Sequence, residues 1–203
     1  MNMTHRKLFL TACATTLVAS CTSTPMHFHT LVPASPDQVP ALPVAGALID
    51  VEPVSVPAQV DRTELVVRQK EDGINLLENE TWIAPLPDEV RSAILVELVR
   101  QLGPMKAESE RGNGSAISVQ LDVERFESAP AQYALIEAAW RVHIKNPTRE
   151  ASVSCRSRVS ESVGPGYIAL VRGHQRAVVV IADQIAEASR GLVAAGTAVC
   201  PSA

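Results

Sequence analysis

The sequence predicts an α/β protein of the α+β type. The expected form is a two-layer sandwich, with two helices on one face of a mostly antiparallel or mixed six-stranded sheet, in the order βββαβββα. Three observations carry this. Between Ile117 and Val159, three runs alternate apolar and polar residues with period 2, the pattern of strands buried on one face only. Two other runs, Pro87 to Leu102 and Gly166 to Arg190, repeat apolar residues at helical spacing. Two helices are too few to cover both faces of six strands, so both are expected on one face, with the other left open.

The chain of 203 residues suits a single domain with extensions. Hydrophobic residues make up 46% and aromatics only 3%, so the core must be built from Val, Leu, Ile and Ala. The net charge of -4 is spread out, with no basic stripe. That argues against nucleic acid as a partner and against adhesion to anionic lipid by charge alone.

The first residues are of another kind. Arg6-Lys7 precede an apolar run from Leu8 to Ser20. The run is shorter than the about 20 residues that span a bilayer and matches the apolar part of a secretory signal, placed at residues 1–20. Val18-Ala19-Ser20-Cys21 resembles the bacterial lipobox, an aliphatic residue and two small ones before a cysteine. There the cysteine thiol receives a diacylglycerol and becomes the first residue of the mature chain. Leu10-Thr11-Ala12-Cys13 competes less well, because it leaves too short an apolar stretch before the cut. Lipidation is therefore expected at Cys21. Gram-negative lipoproteins kept at the inner membrane often carry aspartate after the cysteine. Thr22 stands there instead, which points to the periplasmic face of the outer membrane.

Residues 21–45 hold Pro25, Pro33, Pro36, Pro40 and Pro43 and read as a tether. Within it, Met26 to Leu31 alternates as a short docked edge strand would. The domain is expected over residues 46–192. Ala47–Val54, Thr63–Arg68 and Gly73–Glu78 are its first strands, with Glu71-Asp72-Gly73 as the turn between the last two. Pro87, Asp88 and Glu89 suit a helix start, and Gly103-Pro104 a stop. A polar loop, Lys106–Gly114, leads to the strand from Ile117 to Glu124, where Phe126 breaks the phase and suggests a bulge. Strands Ile136–Lys145 and Val153–Val159 flank Asn146-Pro147-Thr148. The last helix carries Tyr167, Val171, His174, Val178, Ile181, Ala182 and Ile185 on one face. A small-residue tail, 193–203, contains Cys200.

Chemistry-bearing motifs are few. There is no G-x-S-x-G elbow, Walker loop or G-x-G-x-x-G, and Gly112-Asn113-Gly114-Ser115 lies between a helix and a strand, the wrong context for a phosphate cradle. His27 and His29 would share a strand face, but no third metal ligand is evident. His143 falls on a polar strand face, and His174 reads as a hydrogen-bonded core histidine. No cofactor is expected. Once Cys21 is acylated, Cys155 and Cys200 remain, and in an oxidising compartment they are expected to pair; the bland alternative is a buried free Cys155 and a loose Cys200. Trp82 reads as a staple at a strand–helix junction or, alternatively, as an interface anchor.

The ordered set of segments "FHTL", "VEPVSVPAQVDRTELVVR", "LLENETWIAPLPDEVRSAIL" and "VQLDVERFES", with the Trp140 strand, resembles the PqiC family, the ABC-type transport auxiliary lipoproteins. The resemblance runs from about Phe28 to Arg190, with His27-Phe28 where the family has tyrosine. It implies a non-enzymatic lipoprotein that works with an ABC or MCE-type lipid transport system in support of envelope integrity, with homo-oligomeric rings known among its members. On that reading a partner surface is expected on the open sheet face, where Arg141, His143, Arg156 and Arg158 project. The alternative is a periplasmic binding module that carries a lipid or other apolar ligand between helices and sheet. A hydrolase would need a nucleophile–base pair, and no spacing singles one out.

Overall fold

A computed structural model describes residues 24–33, 48–69, 73–103, 116–146 and 149–201. Cys21 with its lipobox, most of the proline-rich stretch and the polar loop before Ala116 lie outside these. In chain order the elements are β1 (His27–His29), β2 (Leu48–Val51), β3 (Glu64–Arg68), β4 (Ile74–Trp82), α1 (Leu86–Leu102), β5 (Ala116–Ala129), β6 (Tyr133–Asn146), β7 (Arg149–Ser162) and α2 (Tyr167–Ala195).

The α+β class and the strands-then-helix order of both halves agree with the sequence. The single six-stranded sheet does not. The strands form two sheets, β1-β4-β3 and β2-β5-β6-β7. The division falls along β5. β2 pairs in parallel with its first residues only, from Leu48↔Ala116 to Val51↔Val119. Alongside its later part lies β3, where Arg68 donates to Glu127 at 2.7 Å but no ladder forms. Between these parts the β5–β6 register shifts, between Val123 and Arg125, slightly before the bulge expected at Phe126.

β5, β6 and β7 are antiparallel, and their alternation sends one row inward. Ile117, Val119, Leu121, Ile136, Trp140, Val142, Ile144 and Val159 are all buried. α2 lies across this row with Ala177, Val178, Ile181 and Ile185, each 2% exposed or less, while Leu170 near its start packs in a smaller cluster with Val67, Ala134 and Val163. Burying each large aliphatic side chain contributes roughly 1.5–3 kcal/mol. α1 packs beside α2 and reaches β2, where Arg91 Nε donates to the Val51 carbonyl at 2.6 Å. Both helices thus occupy the same face. Trp140 Nε1 donates to Ser157 Oγ at 2.7 Å, and that hydroxyl donates to Gln184 Oε1, so these three core side chains form one polar chain.

Local chemistry sets the helix ends. Pro85 precedes α1, with Pro87 in its first turn and Asp88 and Glu89 at its positive end; Gly103, at φ 97°, closes it. α2 runs past the expected stop at Gly191, because Leu192 is fully buried and keeps the helix on the core. Gly196, left-handed at φ 76°, is the actual cap, and its N–H donates to the Leu192 carbonyl at 2.9 Å.

The stretch expected as tether contributes to the body. β1 pairs in parallel with β4, His27↔Glu80 to His29↔Trp82, and Leu31 is fully buried in the main core. Glu89 accepts from Thr30 Oγ1 at 2.8 Å and from the Leu31 N–H at 2.7 Å. Gln175 on α2 donates to the Thr30 carbonyl at 2.9 Å. The edge-strand alternation of Met26–Leu31 is therefore the correct reading of this segment.

Candidate partner surface

The face of the four-stranded sheet opposite the helices carries the polar half of each alternation. Cross-strand register aligns Gln120, Arg141 and Ser154 in one row, Asp122, Ala139 and Arg156 in the next, and Arg125, Glu137 and Arg158 in a third. Arg141, Arg156 and Arg158 are exposed here and His143 is half-buried, on the face the sequence assigns them.

The residues they meet turn a row of cations into a lattice of pairs. Arg156 reaches Glu124 at 2.8 Å, Arg158 reaches Glu137 at 2.6 Å, and His143 Nε2 lies 2.9 Å from Glu150. Arg141 Nε donates to Ser154 Oγ at 3.0 Å. Alternation predicts that Glu124 and Glu137 share this face; their pairing depends on inter-strand register, which no single strand encodes. Exposed pairs of this kind contribute little stability each, about 0–1 kcal/mol. Their effect is to fix the pattern of charge that a partner meets.

A shallow groove of about 670 Å³ crosses this face. Its floor includes the small Ala139, between Asp122 and Arg156; Pro53 and Ser55 form one end and Cys200 the other. Ser55 hydrogen-bonds Asp122, which fixes the first end. The second is held by the Cys155–Cys200 disulfide, with a Cα–Cα distance of 5.5 Å. The tail reaches Cys155 by folding back along the end of α2. A Cβ on Gly191 would lie 3.3 Å from both Ala198 Cβ and the Thr197 carbonyl oxygen, so the absence of a side chain there gives the tail its path.

Beyond the groove, Glu127 accepts from Arg68 at 2.7 Å, Arg125 at 2.8 Å and Tyr133 at 3.0 Å. The Arg68 hydrogen bond, with those of Arg125 and Tyr133, overcomes partial burial and holds its carboxyl down at about 2. Arg125 also contacts Glu137 at 3.3 Å, which links this cluster to Arg158.

Trp82 does not belong to the surface. It is 3% exposed, edge-on to His29 and Phe126 with ring centroids 6.5 and 6.3 Å away. It is the staple of the β4–α1 junction, and the interface-anchor alternative is corrected accordingly. His27 and His29 do share a side, and both meet Glu80, at 2.8 and 2.5 Å. Among the described residues, no group of three or more His, Cys, Asp or Glu side chains is arranged to hold a metal ion. His174 is fully buried, stacked on Phe126 at 4.1 Å with Nε2 at 2.8 Å from Ser128 Oγ; burial pushes its pKa down to about 3.

The family model described as ABC-type transport auxiliary lipoprotein component matches residues 29–186. The fold is similar to a crystal structure of an uncharacterized protein, with TM-score 0.56, 18% identity, and 80% of this chain and 97% of that one covered. It is also similar to a DUF330-family protein from Xanthomonas campestris, with TM-score 0.51, 17% identity, and 84% and 96% covered. No curated protein matches by sequence.

Proposed function

The chain belongs to the family of ABC-type transport auxiliary lipoprotein components, and from that membership we propose that it is a non-enzymatic docking subunit of an ABC/MCE-type lipid transport system. On this reading, Cys21 carries the acyl anchor, and the domain stands on the periplasmic face of the outer membrane. No helix among the described residues is long and apolar enough to cross a membrane, so attachment through acylated Cys21 is what the reading requires.

The observation that carries the proposal is the open sheet face. Its charge lattice has exposed Arg156 and Arg158 and half-buried His143 fixed by named carboxylates, and Arg141 by the Ser154 hydroxyl, and it is braced at one end by a disulfide. Such a surface suits a protein partner with its own alternating charges, either an MCE-domain or ABC transporter component or another copy in a ring. The rival, a ligand carried between helices and sheet, finds that layer filled. Val178, Ile181 and Ile185 from α2 and Ile136, Trp140 and Val142 from β6 are all 3% exposed or less within one core.

The test is native co-purification from membranes, with wild type compared to Arg141→Glu/Arg156→Glu. The expected result is that transport components co-purify with wild type and are lost with the double reversal, while the fold is kept. Undiminished recovery of the same partners with the double variant would remove this face as the docking surface. Bound lipid in stoichiometric amount, with no protein partner, would favour the carrier reading instead.

A further inference from the structure

β1 keeps its apolar residues on an exposed side. His27 and His29 turn onto Glu80, and His29 stacks edge-on to buried Trp82. Apolar residues take the other side. Phe28 is 60% exposed and pairs with Thr81; Ile83, 62% exposed, stands two residues further along from Thr81 and donates its N–H to the His29 carbonyl at 2.8 Å. This places Ile83 diagonally next to Phe28, within reach for large side chains. Met26, two positions before Phe28, is 52% exposed. In water, an edge strand usually turns its apolar residues inward and its polar ones out. Here a dedicated carboxylate holds the inward His29, 11% exposed, and the open His27, 57% exposed, on one side, while methionine, phenylalanine and isoleucine face outward on the other.

The position of this strand in the chain says what lies outside it. Only five residues, Thr22–Met26, separate Cys21 from His27. Fully extended, that connection spans about 20 Å at most, at roughly 3.3–3.6 Å per residue. No slack is available from beyond it, because Glu80, Glu89 and Gln175 fix residues 27–31 to the body. An acyl chain on Cys21 would hold β1 beside the headgroup layer.

We propose that Met26, Phe28 and Ile83 form a lipid-docking edge that seats in the interfacial layer of the membrane holding the anchor. The proposal rests on acylation at Cys21. It orients the domain: the β1 edge of the three-stranded sheet faces the lipid. Contact is by apolar side chains, with no basic cluster involved, so a zwitterionic surface suffices.

The test uses the full acylated protein purified from membranes, its intact mass first checked for diacylglycerol. Phe28→Trp and Val199→Trp variants, at positions 60% and 88% exposed, are reconstituted into phosphatidylcholine vesicles, with and without bromine on the acyl chains near the headgroup. Wild type, with Trp82 and Trp140 both buried, supplies the background emission. The expected result is a blue shift and bromine quenching for Phe28→Trp, and neither for Val199→Trp. Acylated Phe28→Trp protein that is quenched no more than Val199→Trp overturns the docking edge and leaves the anchor standing. Protein lacking diacylglycerol overturns both. A concentration-dependent blue shift of Phe28→Trp in detergent, before lipid is added, means that a second copy covers the edge and also overturns the proposal.

Discussion

The Glu89 carboxylate on the first turn of α1 accepts the backbone N–H of Leu31 at 2.7 Å, joining positions 58 residues apart. The same oxygen accepts from the Thr30 hydroxyl at 2.8 Å, and Glu89 is only 4% exposed. Glu89 thus ties down the segment that follows β1, together with Gln175, which donates to the Thr30 carbonyl. In Glu89→Ala, the Leu31 N–H and Thr30 hydroxyl lose their acceptor inside the protein, at about 1–3 kcal/mol for each donor left unsatisfied. Glu89→Gln keeps an acceptor and should lose less. Denaturant unfolding of both variants measures this, and limited proteolysis should show new cleavage near Leu31 in Glu89→Ala. Equal stability of Glu89→Ala and wild type would show that the contact does not hold the segment.

The disulfide gives a second prediction. Cys155 and Cys200 are 45 residues apart, and closing a loop of that size stabilises by roughly 4 kcal/mol on the loop-entropy argument. Cys200→Ser should lower stability by an amount of that order, and reductant should do the same to wild type but nothing further to Cys200→Ser. Alkylation under denaturing, non-reducing conditions should leave Cys155 and Cys200 unmodified. Full labelling of both would refute the bond in the native protein.

Much of this fold was legible because local pattern decides it. Strict alternation placed Arg141, Arg156 and Arg158 outward and Trp140 and Cys155 inward, and register then confirmed that Trp140 faces Cys155. The split into two sheets was not legible, since it depends on where β2 stops along β5 and where β3 comes alongside it. Gly191 misled for a physical reason: glycine often ends helices, but here burial of Leu192 outweighs its cost and the cap moves to Gly196. Glu124 and Glu137, and Glu80 and Glu89 at β1, are not legible as partners because each meets a residue on another element whose register the sequence does not encode.

A third prediction concerns Gly173, in the second turn of α2. A Cβ there would come 2.3 Å from Val163 Cγ1 and 3.0 Å from Ala134 Cβ. In an exposed helix, Gly→Ala would gain about 1 kcal/mol. At this site the overlap forces α2 away from the strands, a change that typically costs about 1–3 kcal/mol. Gly173→Ala is therefore expected to destabilise. Val163→Ala should restore part of the loss in the double variant, a coupling that a thermodynamic cycle measures. A stabilised Gly173→Ala would mean the contact relaxes without cost.

Acid should weaken the protein in two stages, because two groups bind protons more weakly folded than unfolded. His174 is buried neutral with its pKa at about 3, against 6.5 as its ordinary value. Between these values the unfolded chain takes up a proton that the folded protein refuses, so stability falls as pH drops below about 6.5. Glu127, held at about 2 mainly by its Arg68 hydrogen bond, against an ordinary 4.5, begins to contribute lower down. Its stabilisation, on the order of 2 kcal/mol, is complete above about 4.5 and is lost as pH falls toward 2. Chemical denaturation across this range should show a first decline that His174→Gln removes and a second, steeper one that Glu127→Gln reduces. If stability were flat from pH 7 to about 5 in wild type, the buried imidazole would not be the group that sets the first stage.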